Sequence, residues 1–169
     1  MRRIFGLGLA LALAWSFPAA GWAHPSAPAF TLRLLDSRKT LDSRSYLGRK
    51  VLVVRFQASW CNLCVREAPS FERAYRKYRS RGVEFVGIQV LDTEADVRRF
   101  LKAHGATYPA GLDPNLTIAN RFGFQRTPYT IVISRKGEMM ARIHDSADET
   151  RLAKVIEPLL ARSAKPRQG

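Results

Sequence analysis

Cys61 and Cys64 are the two cysteines of this chain, and they lie where a strand-like segment gives way to a helix-like one. Residues 51–56 are dominated by β-branched and aromatic side chains, which indicates a buried strand. Aromatic residues between Phe71 and Tyr78 then recur at helical spacing. The pair is therefore expected at the N-terminus of a helix, where free N–H groups and the helix dipole stabilise a thiolate. This placement predicts a reactive dithiol.

The spacing of the two cysteines favours redox chemistry over a structural role. A bridge between Cys61 and Cys64 would close a very short loop, whereas structural disulfides gain most from long loops. A zinc site needs four ligands, and His24, His104 and His144 have no metal-type spacing to the pair. A structural bridge or a metal site stays open as an alternative. No cofactor is expected.

The N-terminus matches a secretory signal. Two arginines at positions 2 and 3 precede an uncharged, mostly apolar segment over residues 4–23. Gly21 and Ala23 supply the small residues that a signal peptidase recognises, which predicts cleavage after Ala23 and a mature chain that starts at His24. An uncleaved membrane anchor is the alternative, because about 20 apolar residues can span a bilayer. The predicted organisation is a signal over residues 1–23, one domain over 24–163 and a disordered tail over 164–169.

The rest of the chain alternates strands and helices. The patterns predict a hairpin (30–34 and 39–41), a helical turn (43–47), strands (51–56, 83–90, 130–134 and 138–143) and helices (61–79, 93–103, 115–121 and 146–160). Asn115 is the expected cap of the short helix, and Ser146 with Glu149 forms an expected capping box. A βαβ unit followed by a helix and a helix-capped hairpin predicts an α/β, thioredoxin-like fold with a mixed sheet.

The segment around the cysteines carries a family resemblance. Residues 60–64, followed by Glu67 and Pro69, resemble the active site of exported thioredoxin-like proteins of the TlpA, ResA and DsbE type, which are related to the AhpC/TSA proteins. Residues 36–48 resemble the lead-in to the catalytic strand of these proteins, and residues 83–113 resemble their central strand and helix insertion. The similarity extends over roughly residues 28–160. It implies a periplasmic thiol-disulfide oxidoreductase, more specifically a protein-disulfide reductase.

The resemblance also implies roles for single residues. Cys61 would be the nucleophile that forms a mixed disulfide, and Cys64 would resolve it. Trp60 would contact the substrate together with Thr127 and Pro128, which match the family's cis-proline loop. The alternative for Pro128 is an ordinary trans proline that opens the next strand.

Two acids are candidates for moving protons to and from the thiols. Asp92 follows the central strand at a position that is acidic in relatives of the ResA kind, and Glu67 has the family's usual place on the helix. A buried carboxylate near a thiol could act as the base for the resolving cysteine. The alternatives are that Asp92 caps the helix that begins near Thr93 and that Glu67 merely favours the helix N-terminus.

The chain departs from the family pattern at several positions. Asn62 and Leu63 replace the common Pro-Pro pair, Gln57 stands where an aromatic residue is common, and Tyr129 replaces a common threonine. Residues between the cysteines tune the thiolate, so the family's reduction potential does not carry over to this chain. Leu63 and Tyr129 would either add apolar surface beside the sulfurs or pack locally.

The chain is strongly basic. Its formal net charge falls from +14 to +12 when the two arginines of the signal are removed. Such a surface could attract an acidic partner or an anionic membrane, or the arginines could simply coat solvated helix faces. Nucleic acid is not an expected partner of an exported protein.

The sequence therefore predicts an exported, monomeric reductase of protein disulfides. By resemblance, a membrane thiol carrier would supply its electrons, and apocytochrome c would be its leading client, which places it in cytochrome c maturation. The alternatives are a dithiol oxidase or isomerase, a copper chaperone that binds metal through Cys61, Cys64 and a histidine, and a peroxiredoxin-like peroxidase. Ser59 and the two adjacent cysteines do not supply the threonine and proline that a peroxidatic cysteine requires.

Overall fold

The computed structural model describes residues 24–37 and 39–164. The predicted signal over residues 1–23 and residues 165–169 of the predicted tail lie outside the described residues. Within the described ranges, no helix is long and apolar enough to cross a membrane.

The described residues form seven strands and three α-helices, connected in part by short 3₁₀ helices. In chain order these are β1 (Thr31–Arg33), β2 (Thr40–Asp42), β3 (Val51–Gln57), α1 (Asn62–Tyr78), β4 (Val83–Val90), α2 (Glu94–Ala103), β5 (Ala110–Asp113), β6 (Tyr129–Ile133), β7 (Met139–Ile143) and α3 (Glu149–Ala164).

The main sheet has the strand order β5-β4-β3-β6-β7. Strands β3, β4 and β5 are parallel, whereas β6 and β7 are antiparallel to their neighbours. The crossovers through α1 and α2 proceed in the same direction across the sheet, so right-handed connections place both helices on one face. β1 and β2 form a separate hairpin. The predicted thioredoxin-like α/β fold is confirmed.

Each face of the sheet carries its own apolar core. On one face, side chains from all three helices pack on alternate residues of the central strands, such as Val53 and Phe85. On the other face, the N-terminal hairpin packs on the intervening residues, such as Val54 and Phe56. This alternation follows from the two-residue period of a strand.

Three details differ from the sequence prediction. The short helix is the 3₁₀ segment Ala119–Phe122. The N–H groups of Ile118 and Ala119 at its start bind the Asp113 carboxylate at 3.0 and 2.8 Å, so Asn115 is not its cap. The Ser146 capping box is also wrong, because α3 begins at Glu149 and Asp148 accepts a hydrogen bond from the Arg151 N–H at 2.8 Å. Finally, α3 continues to Ala164, beyond the predicted end at residue 160.

Candidate active site

The two cysteines form a disulfide at the start of α1. Cys61 is the N-cap residue, and its Sγ accepts a hydrogen bond from the Cys64 N–H at 3.1 Å. The two Cα atoms are 5.1 Å apart. Cys61 is 7% exposed and Cys64 is fully buried, so Cys61 is the residue that a partner can reach. An N–H group aimed at its sulfur stabilises the thiolate that forms on reduction.

Asp92 holds the loop that precedes the cysteines. Its carboxylate accepts hydrogen bonds from the Ser59 N–H at 2.7 Å and from the Ser59 hydroxyl at 2.9 Å. Thr93, and not Asp92, is the N-cap of α2, since its hydroxyl accepts a hydrogen bond from the Asp96 N–H. The capping alternative for Asp92 is therefore wrong. Asp92 contacts the dithiol segment two residues before Cys61.

A second contact ties the same two loops together. The Trp60 indole donates a hydrogen bond to the Leu91 carbonyl at 3.2 Å, and Leu91 has a left-handed backbone with a φ of 51°. Both side chains remain more than half exposed, at 57% for Trp60 and 53% for Leu91. The residue directly before Cys61 thus presents an apolar surface to solvent.

The Thr127–Pro128 peptide bond is cis, as the resemblance implied. In the antiparallel register, Phe56 lies opposite Tyr129. Continuing this register past the end of β3 brings Thr127 beside the segment that leads to the cysteines. This register places Thr127 opposite Ala58, three residues before Cys61.

Tyr129 packs locally and adds no surface beside the sulfurs. It is 1% exposed, and its hydroxyl donates a hydrogen bond to the Phe122 carbonyl at 3.1 Å. Its ring stacks between Phe56 and His144, with ring centroids 6.0 and 4.4 Å away. Leu63 is half-buried and packs against the cysteines.

Glu67 lies on α1, three residues after Cys64, and pairs with an arginine that the sequence analysis did not single out. Its Oε2 accepts a hydrogen bond from the Arg55 Nη2 at 2.9 Å, and Ala147 N–H lies 3.4 Å from the same oxygen. Arg55 is fully buried in the middle of β3, and Glu67 is 8% exposed. A charged residue inside an otherwise apolar strand was the signal that could have revealed this pair.

The ion pair belongs to a buried polar layer between the sheet and α1. Its members are buried on the side of the sheet that faces the helices. They are Arg55, Gln57, Glu67, Gln89, Tyr108 and Thr130. The Gln57 amide donates a hydrogen bond to the Tyr108 hydroxyl at 3.0 Å, and burial raises the pKa of Tyr108 to about 12. Among the described residues, Arg55 Nη1, the Gln89 side-chain amide and the Thr130 hydroxyl have no hydrogen-bond partner.

His104 and His144 pack against aromatic rings. His104 packs on Phe100 at 4.9 Å between ring centroids, and His144 stacks on Tyr129. Over residues 24–37 and 39–164, no group of three or more histidine, cysteine or acidic residues could hold a metal ion.

A thioredoxin-like fold with a Cys-x-x-Cys disulfide at a helix N-terminus defines a dithiol redox protein. The sequence profile of the AhpC/TSA family matches residues 24–142. The thiol-disulfide oxidoreductase ResA of Halalkalibacterium halodurans is 30% identical over 122 residues, which cover 72% of this chain and 68% of that protein. ResA of Bacillus subtilis is 27% identical over 124 residues, covering 73% and 68%.

A solved structure shows the same similarity. The crystal structure of a thiol:disulfide interchange protein of the thioredoxin family from Chlorobium tepidum superposes with a TM-score of 0.75 at 26% identity, covering 83% of this chain and 99% of the other. The chain belongs to the AhpC/TSA family. It is a thiol-disulfide oxidoreductase of the ResA type, which confirms the predicted enzyme class.

Proposed function

We propose that this oxidoreductase is a periplasmic reductase of protein disulfides that acts by dithiol exchange through Cys61 and Cys64. The observation that supports it is the unequal exposure of the two cysteines, 7% for Cys61 and 0% for Cys64. Dithiol exchange needs an outer sulfur that a protein partner can reach and an inner sulfur that the partner cannot.

The reaction starts from the reduced enzyme. The Cys61 thiolate attacks one sulfur of a client disulfide, the client S–S bond breaks, and the other client sulfur leaves and takes up a proton. Cys64 then loses its proton and attacks the Cys61 sulfur of the mixed disulfide. The second client thiol is released, and the enzyme keeps the Cys61–Cys64 disulfide. Two electrons and two protons have passed to the client, and a membrane thiol carrier restores them while it is itself oxidised.

The surface around the dithiol suits a client segment. Trp60 presents an exposed apolar ring directly before Cys61, and Thr127 and Pro128 lie on the neighbouring loop. These three residues bind the client chain around its disulfide. The client class, a two-cysteine segment such as that of apocytochrome c in cytochrome c maturation, rests on the resemblance to TlpA, ResA and DsbE proteins.

The two acids act on the protonation of the dithiol. Asp92 binds both polar groups of Ser59 in the loop that leads to Cys61. Glu67 lies one helical turn after Cys64, on the same side of α1. The enzyme works as a monomer, and its basic surface favours contact with the anionic membrane that holds its electron donor.

Equilibration of the purified protein with glutathione or dithiothreitol buffers gives the potential of its disulfide. A value near that of thioredoxin, about −270 mV, supports a reductase, and a value near that of DsbA, about −120 mV, makes it an oxidase of exported thiols. Reduction of a two-cysteine haem-site peptide, with a Cys61→Ser variant as the negative control, then tests the client class. Copper titration of the reduced protein and a peroxide assay test the other two alternatives.

A further inference from the structure

Arg55 is the largest fully buried side chain of the described residues, and it lies under the active-site helix. Its Nη2 binds Glu67 at 2.9 Å, its Nε binds the Gln57 side-chain oxygen at 3.1 Å, and its Cζ lies 5.0 Å from the centre of the Phe71 ring. An arginine side chain stays protonated inside proteins, so this position carries a permanent positive charge.

The partner of this charge is close to the inner cysteine. Glu67 follows Cys64 by three residues on α1, and residues at this spacing have their Cβ atoms about 5–6 Å apart. Both residues are buried, so solvent screens their interaction weakly. The charge state of Glu67 therefore acts directly on the ionisation of Cys64.

Building on the proposed dithiol function, we infer that Arg55 is a positioning residue that holds Glu67 as a carboxylate beneath Cys64. Glu67 then acts on the thiols through its constant charge and does not carry their protons. The contacts favour the carboxylate, because its Oε2 lies 2.9 Å from the permanently charged Arg55 guanidinium and also faces the Ala147 N–H. The proton that Cys64 loses during exchange leaves by another route.

Among the described residues, Glu67 has two hydrogen-bond partners. β3 contributes Arg55, α1 itself contributes Cys61 and Cys64, and the loop before α3 contributes the Ala147 N–H. The Tyr108 hydroxyl reaches this layer only through Gln57, and its pKa of about 12 keeps it neutral at working pH. Within this set, the two thiols are the remaining groups that titrate near neutral pH.

The test is a pH titration of the reduced, full-length protein in which the ultraviolet absorbance of the thiolates is recorded at each pH. Dithiothreitol first passes two electrons and two protons to the disulfide and is oxidised to its cyclic disulfide. We expect the absorbance curves of the wild type and of Glu67→Gln to contain the ionisations of the two thiols alone. Neither curve should have a further bend from the titration of another group. The Glu67→Gln curve is displaced to lower pH, by up to roughly 100-fold in ionisation constant for a unit charge at about 6 Å in an effective dielectric of about 20.

Arg55→Met is expected to change the shape of the titration curve. Without the cation, the buried Glu67 carboxyl takes up a proton and titrates together with the thiols, so the curve gains a bend. The double variant Arg55→Met/Glu67→Gln loses that bend. Glu72 is the matched control, since it is also a buried acid of α1 but binds Thr107 and Arg76, and Glu72→Gln leaves the curve in place.

Two outcomes overturn the inference. A bend in the wild-type curve that disappears in Glu67→Gln means that Glu67 does carry a proton, and an Arg55→Met curve parallel to the wild type means that Arg55 does not control it. If Arg55→Met does not fold, the comparison of the wild type with Glu67→Gln still decides. None of these curves needs a client, so failure to reduce a client disulfide overturns the proposed function and leaves this inference intact.

Discussion

The Arg55–Glu67 ion pair makes a quantitative prediction for stability. Arg55→Met leaves the Glu67 carboxyl group, which is 8% exposed, with one weak contact, to the Ala147 N–H at 3.4 Å. Removing one partner of a buried ion pair typically costs about 3–5 kcal/mol of unfolding free energy. Since a domain of this size has about 5–15 kcal/mol in total, this loss is large. At about 2–4 °C per kcal/mol, we expect the Tm to fall by about 6–20 °C.

Glu67→Gln is expected to cost less, about 1.5–3 kcal/mol, because the amide oxygen can still accept a hydrogen bond from Arg55. The double variant Arg55→Met/Glu67→Gln leaves no buried charge at this position. Its cost should therefore fall below the sum of the two single variants by about 1–3 kcal/mol. Urea denaturation of all four oxidised proteins at neutral pH measures this coupling.

The ion pair between Lys50 and Glu84 provides the matched control. It joins the residue before β3 to β4 with an Nζ to Oε2 distance of 2.8 Å, but the lysine side chain is 37% exposed. Lys50→Met should cost no more than about 1 kcal/mol, as is usual for pairs in contact with water. The reasoning would be refuted if the loss of unfolding free energy in the double variant equalled the sum of the two single losses within about 0.5 kcal/mol. Such additivity would mean that the two charges do not depend on each other.

Three further variants test other parts of the structure. Asp92→Asn should lower the unfolding free energy by about 1–3 kcal/mol in urea denaturation, because the two groups of Ser59 bind different carboxylate oxygens and the amide replaces one of these with an NH2 donor; an unchanged midpoint would contradict this. Gly111→Ala should cost about 1–3 kcal/mol in the same assay, since the added Cβ would lie 2.6 Å from the Leu32 Cγ, and wild-type stability would show that the hairpin can shift freely. Glu157 has a pKa lowered to about 2 from 4.5 by hydrogen bonds from Arg81 and a tyrosine, so its contribution is complete above pH 4.5 and is lost as the pH falls to about 2. Acid unfolding of Glu157→Gln should therefore depend less on pH in that interval than acid unfolding of the wild type.

The parts of the fold that repeat a simple pattern could be predicted from the sequence. The segment from Val83 to Val90 is a strand as predicted, and the aromatic face of α1 is buried. β5 was not identified as a strand from its own residues. Its four residues, Ala110–Asp113, include a glycine and an aspartate and show no clear alternation. Pairing with β4 and the close packing of the hairpin on Gly111 hold it in the sheet.

The two misplaced caps have a common physical reason. Ser146 and Asn115 fit local rules for capping, but the caps were decided by how the preceding loops pack. The loop before α3 buries Ala147 and directs its N–H toward Glu67, so the helix begins later, at Glu149. A local pattern names residues able to cap a helix, whereas tertiary contacts select among them.

In the active site as well, a sequence motif predicts one part and tertiary contacts determine the other. The Cys-x-x-Cys spacing identified the dithiol, but Arg55 lies 12 residues before Glu67, and no local pattern joins them. A buried guanidinium is costly unless it is paired, so its position in β3 requires an acid on the helix above it. The same pairing removes Glu67 from the groups free to exchange protons with Cys64. Arg55, the charged residue in the otherwise mostly apolar strand β3, therefore also determines how Glu67 can act on the dithiol.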